Sequence, residues 1–292
     1  MNLSNGQGFH RWRPASCLRA TGEDSLAFLQ GQFTNDLHQD AKGGAVYGLW
    51  LNQKGKVLAD SFVRKISDRE LWIVSYFSPA AVIRARLEAY IIADDVVIED
   101  VTETMLGLTV VGAATAADLG LGDAGWSFSG RRMREPHTEF IFPMSAETEV
   151  SAKLAGVVAL SSGQMEWKRI AAGIPAVPAD IGPTDLPNEG GLETEAISYT
   201  KGCYLGQEVI ARLKSMGQVR RRLLRVRSNG EPPARSTALF QAARKVGEMR
   251  SVAREGADWI GFAMVSLPQL RRDLGLAVAP DGAPAISFSD GP

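Results

Sequence analysis

The sequence predicts an α+β fold that ends in a small all-β domain, and three observations support that prediction. Apolar residues recur at helical spacing in some N-terminal segments and alternate as in strands in others. After about residue 214, strand-like runs follow one another, separated by glycine and proline and without helices between them. At 292 residues the chain is long enough for two or three domains with cores of their own. We therefore predict an N-terminal module over 1–213 and a C-terminal β-barrel domain over 214–292.

Helices are predicted from capping residues and from apolar spacing. Thr21 begins a capping pattern, and apolar residues then recur at helical intervals as far as Leu37. The dipeptide Ser78-Pro79 predicts a second helix, because serine caps helices and proline suits the first helical position. A third helix is expected to begin after Ser161 or Ser162 and to end at a glycine and a proline.

Strands are predicted from alternation and from turn residues. Segment 45–63 contains two short runs around Gln53-Lys54-Gly55, a polar turn typical of a hairpin. Segment 112–160 is expected to form short elements joined by glycine and alanine, and the tail after Ala279 is expected to be loose. The other predicted strands cover 15–20, 71–76, 96–101, 106–111, 219–227, 237–241, 246–252 and 259–265.

Composition narrows the class of protein. A hydrophobic fraction of 45%, a charged fraction of 22% and a formal charge of -1 are ordinary for a soluble globular protein. They argue against a surface built throughout for nucleic acid or anionic lipid, and no apolar run approaches bilayer-crossing length. Cys17 and Cys203 are the two cysteines; they lie far apart and suggest no disulfide framework. We expect a reducing, cytoplasmic setting and no membrane partner.

Several common motifs do not fit this chain. A phosphate-binding loop ending at Gly55-Lys56 would need a glycine where Trp50 stands. The three histidines are scattered, so neither a zinc site nor a cysteine–histidine pair is expected. Standard iron–sulfur clusters use about four cysteine thiolates, and a chain with two cannot enclose one in that way.

Residues 201–208, Lys-Gly-Cys-Tyr-Leu-Gly-Gln-Glu, combine a thiol, an ammonium and two glycines, and we call them the cysteine motif. If the segment is extended, Lys201 and Cys203 share one face, and the ammonium favours the reactive thiolate. Gly202 and Gly206 would leave room beside the sulfur for another backbone or a flat ligand. A buried cysteine in a tight turn is the alternative, since free cysteine is often a small core residue. On residue chemistry alone both interpretations stay open.

The cysteine motif resembles the signature of the YgfZ family of folate-binding proteins, relatives of the glycine-cleavage T-protein, an aminomethyltransferase. Three further segments are similar to these proteins in order and spacing. Residues 22–36 (GEDSLAFLQGQFTND) resemble the first helix, 51–60 (LNQKGKVLAD) the hairpin, and 186–192 (LPNEGGL) the segment with the pterin-binding glutamate of the T-protein. Together these segments cover most of the chain to about residue 227.

The resemblance implies a three-domain, ring-like fold in which two α+β subdomains and a β-barrel surround a central channel for tetrahydrofolate or a one-carbon derivative. Carried over by position, Glu189 is the candidate pterin ligand, because one carboxylate can accept both a ring N–H and an amine. Without the resemblance, a surface glutamate in a glycine-rich loop would explain it. Cys203 and Lys201 are the candidate catalytic residues. The other candidates for the cofactor site are Asn35, Asp36, Asp60, Tyr204, Gln207, Glu208 and Arg212.

A basic stretch follows the cysteine motif. Folate carboxylates or RNA phosphates would be attracted to it. A solvated barrel face explains most of its arginines equally well, because alternate residues of a strand face outward. Arg212 lies nearest to the motif. The stretch places seven positive charges in sixteen residues with no acid between them, at Arg212, Lys214, Arg220, Arg221, Arg222, Arg225 and Arg227.

The hairpin residues bear on the choice between enzyme and accessory protein. The T-protein hairpin commonly shows paired aspartates, and here the pair reads Ala59-Asp60. The loss of one acid, together with a cysteine that the T-protein lacks, favours the YgfZ branch, which is implicated in assembly or repair of iron–sulfur clusters and thereby in modification of certain transfer RNAs.

We therefore predict a tetrahydrofolate-binding accessory protein whose partners are iron–sulfur enzymes or cluster carriers, and whose effects on tRNA are indirect. Cys203 would perform the thiol step, Lys201 would tune its ionisation and Glu189 would hold the pterin. Two alternatives stay open. One is a folate-dependent one-carbon transferase that uses Asp60, and the other is a tRNA-binding module that uses the basic stretch.

Overall fold

The computed structural model describes residues 8–38, 44–112 and 125–289, and it confirms the α+β class. The helices of the described chain are α1 (Ser25–Gln32), α2 (Ala80–Glu88), α3 (Glu147–Lys153), α4 (Ser162–Ala171) and α5 (Gln207–Met216). The strands are β1 (Gly8–Trp12), β2 (Ser16–Thr21), β3 (Val46–Leu51), β4 (Val57–Ser67), β5 (Glu70–Ser75), β6 (Val97–Asp100), β7 (Met105–Val111), β8 (Trp126–Ser129), β9 (His137–Pro143), β10 (Arg221–Asn229), β11 (Ala238–Gln241), β12 (Arg244–Glu255), β13 (Asp258–Ser266) and β14 (Ser287–Phe288).

The first sheet has the strand order β3-β4-β5-β2-β6, with antiparallel neighbours. The predicted hairpin is confirmed: β3 and β4 pair with Leu49 opposite Asp60, around a turn in which Gly55 has a positive φ of 69°. Helices α1 and α2 pack on this sheet through Leu29 and Ile83, both fully buried in a core shared with the strands. Burial of this apolar face stabilises α1 and α2, which are too short to be stable helices in isolation.

The second sheet has the order β1-β7-β9-β8. Strand β1 was not predicted; its burial alternates, with Gly8, His10 and Trp12 buried on one face and Arg11 exposed on the other. Helix α3 packs on the sheet through Val150, against Leu108 and Phe140. The expectation of short elements over 112–160 is met where the chain is described, and residues 113–124 lie outside the described ranges.

The third sheet forms the C-terminal domain, with the order β11-β12-β13-β10-β14. Its four main strands match the predicted runs. The tail is less loose than expected, since Ser287 and Phe288 pair with Arg227 and Val226 in β10. Helix α4 lies against this sheet, where Ile170 packs on Phe262.

A linker over 172–206 joins α4 to α5 and has one turn of 3-10 helix, at Pro187–Glu189, as its regular structure. Although irregular, it contributes buried apolar side chains. Its residues Val177 and Ile181 pack in one cluster with Leu51 of the first sheet and Met264 of the C-terminal domain. The linker therefore packs through apolar side chains against both the first and the third sheet.

Two of the three helices that were predicted from capping residues have a different cap residue in the structure. Thr21 is the last residue of β2, and α1 begins at Ser25 after Asp24. Pro79 occupies the cap position of α2, because the Ser78 hydroxyl donates to Asp60 instead. The cap at Ser161 is confirmed, and it forms a reciprocal box with Gln164.

Helix α5 was not predicted. The proposed boundary at 213/214 falls inside it, and the first strand of the C-terminal domain begins at Arg221. The two-domain division stays a prediction.

Candidate functional site

The two cysteines lie in opposite environments. Cys203 is exposed at the surface with a free thiol, while Cys17 is fully buried in the core. Burial raises the pKa of the Cys17 thiol to about 12, with Asp100 adding to the effect, so this thiol is inert at neutral pH. Of the two cysteine interpretations, the buried one does not apply to Cys203.

The cysteine motif is a turn leading into a helix rather than a strand. Gly206 ends the turn in the left-handed conformation (φ 86°) and precedes the first residue of α5. Lys201 is buried, at 9% exposure, while Cys203 is exposed. The expectation that the two side chains share one face of an extended segment is therefore wrong.

Lys201 binds the C-terminal end of α1. Its ammonium donates to three carbonyl oxygens, those of Gln30 (2.6 Å), Phe33 (2.7 Å) and Asn35 (2.9 Å). A lysine ammonium has three donors, so all of them are used on backbone. Burial lowers the pKa of Lys201 to about 8, and the Asp36 carboxylate acts in the opposite direction. In this geometry Lys201 orders the motif, and its proposed effect on the sulfur would have to act through space.

Further bonds join the cysteine motif and its preceding linker to segment 22–36. The Thr34 hydroxyl donates to the Ala196 carbonyl (2.6 Å) and accepts from the Leu49 amide (2.8 Å). The backbone amides of Ser198 and Leu205 donate to the carbonyls of Thr34 and Gly31. The two most recognisable segments of the sequence thus form one contiguous unit, fixed to the first sheet.

The two glycines of the cysteine motif have different reasons to be glycine. At Gly206, a Cβ atom would stand 2.7 Å from the Asn52 carbonyl oxygen, and the positive φ also disfavours a side chain. At Gly202, a Cβ atom would meet nothing within 4 Å. Packing therefore requires Gly206, whereas open space surrounds the Cβ position of Gly202; that this space serves a ligand beside the sulfur stays a prediction.

The remaining motif residues surround the start of α5. Tyr204 is buried, with its ring 5.5 Å from the Lys201 ammonium, and Gln207 accepts a hydrogen bond from the Tyr204 amide (3.3 Å). Glu208 and Arg212 form an exposed i, i+4 ion pair of 2.9 Å on the helix surface. Breaking this ion pair to bind a ligand would cost little free energy, since exposed ion pairs contribute little to stability.

The two polar residues after α1 hold the loop that follows the helix. Asn35 donates from Nδ2 to the carbonyls of Tyr47 (2.8 Å) and Glu195 (3.0 Å). Asp36 accepts from the side chain of Gln30 (2.8 Å). These bonds explain the residues structurally, and their role towards a cofactor stays a proposal.

Asp60 lies on β4 and is almost fully buried. Its carboxylate accepts hydroxyl hydrogen bonds from Ser75 and Ser78 (2.8 Å each) and from Tyr47 (3.0 Å). Burial raises the pKa of Asp60, while the hydrogen bonds from Ser78, Ser75 and Tyr47 lower it. Tyr47 and the two serines were missed in the sequence, although alternation along the hairpin and the Ser-Pro dipeptide marked their elements.

Glu189 lies in the 3-10 turn of the linker and is 5% exposed. Arg221 donates to both of its carboxylate oxygens (3.0 and 2.9 Å), and the Leu186 amide donates to one of them (2.8 Å). Arg221 also reaches the buried Asp185 at 3.0 Å. The candidate pterin ligand is therefore held in an ion pair that links the linker to β10.

Several cations of the basic stretch contact other groups of the protein. Arg221 is paired as described, Arg225 donates to the Ala171 carbonyl, and the Lys214 ammonium lies 3.8 Å from the centre of the Tyr199 ring. Arg220 and Arg222 are exposed, and within the described chain no ion pair or side-chain hydrogen bond engages either one. Arg227 is likewise exposed, so the stretch is a mixture of cations engaged within the protein and exposed ones.

The described residues contain neither a membrane-spanning helix nor a cluster of metal-binding side chains. No helix there has the length and apolarity needed to cross a bilayer. No group of three or more histidine, cysteine, aspartate or glutamate side chains in that part of the chain is arranged to hold a metal ion.

Two family models match this chain. Residues 15–120 match the GCVT N-terminal domain, and residues 220–285 match the CAF17 C-terminal beta-barrel domain. The first match spans the first sheet with α1 and α2, and the second spans most of the third sheet. The predicted β-barrel at the C terminus is therefore confirmed.

Individual relatives agree with these models. The human iron-sulfur cluster assembly factor IBA57, mitochondrial, is 26% identical, with 93% of this chain and 81% of the relative covered. The tRNA-modifying protein YgfZ of Yersinia pestis (strain Pestoides F) is 27% identical, with 82% and 79% covered. The crystal structure of the glycine cleavage system aminomethyltransferase T from Bartonella henselae superposes with a TM-score of 0.73 at 18% identity, covering 89% of this chain and 79% of that one, and shows the shared fold. The chain is thus a relative of YgfZ and IBA57, built on the fold of the glycine-cleavage T-protein.

Proposed function

We propose that this protein is a tetrahydrofolate-binding accessory protein of iron–sulfur cluster assembly or repair, with indirect effects on tRNA modification. The relatives IBA57, an iron-sulfur cluster assembly factor, and YgfZ, a tRNA-modifying protein, support the two processes. The observation that carries the proposal is the exposed Cys203 thiol, presented on a turn that three lysine hydrogen bonds fix to α1. An accessible thiol on an ordered support can be offered to a cluster enzyme or carrier. A cytoplasmic location accompanies the proposal.

The residues present fit a folate. A reduced pterin offers neighbouring N–H donors, and the linker supplies the Glu189 carboxylate next to Asn188, whose Oδ1 is buried without a hydrogen-bond partner among the described residues. When bound, tetrahydrofolate would supply a nitrogen that accepts one-carbon units. Glu189 would orient the pterin edge, and Arg221 would release one carboxylate oxygen to let it do so. Asn35 and Asp60 would help to shape the site from the first sheet.

The role of the thiol is tested by complementation. In cells that lack the protein, Cys203→Ala should fail to restore the activity of a cluster-dependent enzyme, because no other accessible thiol lies in the described chain. Cys17→Ala is the matched control and should restore activity, since this thiol is buried and inert. Full rescue by Cys203→Ala, with the protein present at the wild-type level, would remove the thiol from the mechanism.

The role of Glu189 is tested by titrating the purified protein with tetrahydrofolate. Glu189→Gln should weaken binding by about 1.5–3 kcal/mol, the contribution of a charge-assisted hydrogen bond. Arg221→Gln is the companion variant. It also breaks the ion pair, but it frees the carboxylate and should not weaken binding. Unchanged affinity in Glu189→Gln would place the pterin elsewhere.

A one-carbon transferase is the second candidate, and the buried Asp60 favours it, because burial prepares an acid for proton transfer. Turnover of a methylene donor with tetrahydrofolate that disappears in Asp60→Asn would support this candidate. Direct tRNA binding is less well supported, because Arg221 and Arg225 are engaged within the protein.

A further inference from the structure

An open cleft of about 430 Å³ lies on the C-terminal domain, beside helix α4. It is lined by residues 227–229 at the end of β10, by residues 258–260 at the start of β13, by Ser287 of the tail and by Trp167 of α4. Pockets for small molecules are of this size. We call it the barrel cleft.

The register of β10 and β13 places four residues of the barrel cleft on one face of the sheet. Arg227 pairs with Ile260, and Asn229 pairs with Asp258. Because alternate residues of a strand share a face, all four side chains leave the sheet on the same side. Ile260 packs on the apolar cluster that contains Ile170 of α4. The helix therefore covers one part of this face, and the cleft is the part that stays open.

The open part of the face carries two opposite charges that are not paired. Arg227 and Asp258 are both exposed, and as diagonal neighbours across the strand pair they lie about 7–8 Å apart between Cα atoms. In the part of the chain that the structure describes, neither side chain forms an ion pair or a hydrogen bond. A ligand that binds them would therefore displace no contact within the protein.

An apolar wall stands beside these charges. Trp167 and Ile260 are half-buried and pack against Ile170 and Phe262, both of which are buried. Since a buried cluster supports them, the two side chains form the wall without help from a ligand. An indole ring presents a flat face on which an aromatic group can pack. The cleft thus offers a cation, a carboxylate and a flat apolar surface.

We propose that the barrel cleft binds a free α-amino acid with an aromatic side chain. The carboxylate of the amino acid would lie against Arg227, because a guanidinium matches the two oxygens of a carboxylate. Its ammonium would donate to Asp258, and its ring would pack on Trp167. A zwitterion fits best because it meets both unpaired charges at once, whereas a ligand with one charge would meet one of them.

The barrel cleft is separate from the residues assigned to folate. Neither Glu189 nor Asp60 lines it. Arg221, which pairs with Glu189, lies six residues before Arg227 on β10, about 20 Å along the strand. The proposal therefore does not depend on the function proposed above, and variants of the cleft leave the ion pair of Glu189 in place.

The test is calorimetric titration of the purified full chain with L-phenylalanine and with two analogues, phenethylamine, which lacks the carboxylate, and phenylacetate, which lacks the ammonium. The wild type should bind L-phenylalanine about tenfold or more tightly than either analogue, since each lacks one charge-assisted contact. Arg227→Gln should bind L-phenylalanine no better than phenethylamine, and Asp258→Asn should bind it no better than phenylacetate.

The controls are variants of exposed charges outside the cleft. Arg244→Gln and Asp281→Asn should bind L-phenylalanine as the wild type does. Because Arg227 and Asp258 are exposed, their variants should melt close to the wild-type temperature, which shows that they fold. L-alanine keeps both charges but lacks the ring, so it should bind more weakly than L-phenylalanine.

Three results would overturn the proposal. The first is no saturable binding of L-phenylalanine by the wild type. The second is binding that neither Arg227→Gln nor Asp258→Asn weakens. The third is a loss in one of these variants alone, because the ligand would then make a single charged contact. Equal binding of L-alanine and L-phenylalanine would overturn the role of Trp167.

Discussion

At the scale of the residue, the lysine and the cysteine of the cysteine motif lie in different environments. Lys201 and Cys203 are two positions apart, but one is buried against backbone carbonyls and the other is exposed. The ammonium satisfies acceptors that the end of a helix leaves unpaired, and its charge complements the helix dipole. The lysine of this motif therefore holds the turn against α1, and the cysteine is the residue whose side chain is exposed.

Lys201→Met should lower the free energy of unfolding by about 2 kcal/mol or more at pH 7, because buried carbonyls lose their donors. The folded-state pKa of Lys201, about 8, lies below the ordinary value of 10.5. Between these values the unfolded chain binds more protons, so the contribution of Lys201 to stability grows as the pH rises through this window. Urea denaturation at pH 7 and at about pH 9.5 measures both effects.

Lys245→Met is the matched control for this prediction, since Lys245 is exposed, and its stability should stay close to that of the wild type. Equal stabilities of Lys201→Met and Lys245→Met would contradict the positioning role.

At the scale of the element, α5 begins where it does because of one glycine. Gly206 takes a left-handed conformation that directs the chain into the helix and allows close approach to the turn of the β3–β4 hairpin. Neither strand alternation nor helical periodicity indicates that a helix begins after a left-handed glycine, and α5 was missed for that reason. By contrast, the capping box at Ser161 is a local signal, and it identified α4 correctly.

Gly206→Ala should destabilise the protein by about 1–3 kcal/mol, since the new Cβ meets a carbonyl oxygen and the positive φ is strained. Gly202→Ala should change stability by about 0.5 kcal/mol or less, because its Cβ would enter open space. Thermal denaturation of the pair tests this difference. If the space beside Cys203 is used by a partner, Gly202→Ala should still lose activity in the complementation assay. Equal melting temperatures of the two variants would show that the turn tolerates a side chain at Gly206.

At the scale of the whole molecule, buried charges fasten the linker to the C-terminal domain. Asp180 is fully buried and accepts from Arg169 of α4 (2.8 Å), from the Ala176 amide (2.8 Å) and from the Ser251 amide of β12 (2.9 Å). It thus connects three parts of the chain at one carboxylate. The ion pair of Glu189 with Arg221 makes a second connection of the same kind.

Asp180→Ala should lower the free energy of unfolding by about 3 kcal/mol or more, because Arg169 stays buried with one partner fewer and two amides lose their acceptor. Urea denaturation followed by tryptophan fluorescence measures the loss. The exposed Asp94→Ala serves as control and should be nearly neutral. A value for Asp180→Ala close to that of Asp94→Ala would mean that the linker is held by its apolar contacts alone.

The amino-acid sequence by itself determined the α+β class, the β3–β4 hairpin, the start of α4 and the main strands of the C-terminal domain, because these depend on local periodicity and turn chemistry. Only the tertiary structure decided the partners of Lys201, Ser78 and Glu189. Their contacts join positions 168, 18 and 32 residues apart, respectively. No local pattern encodes such pairs, since the folding of the linker onto two sheets brings them together.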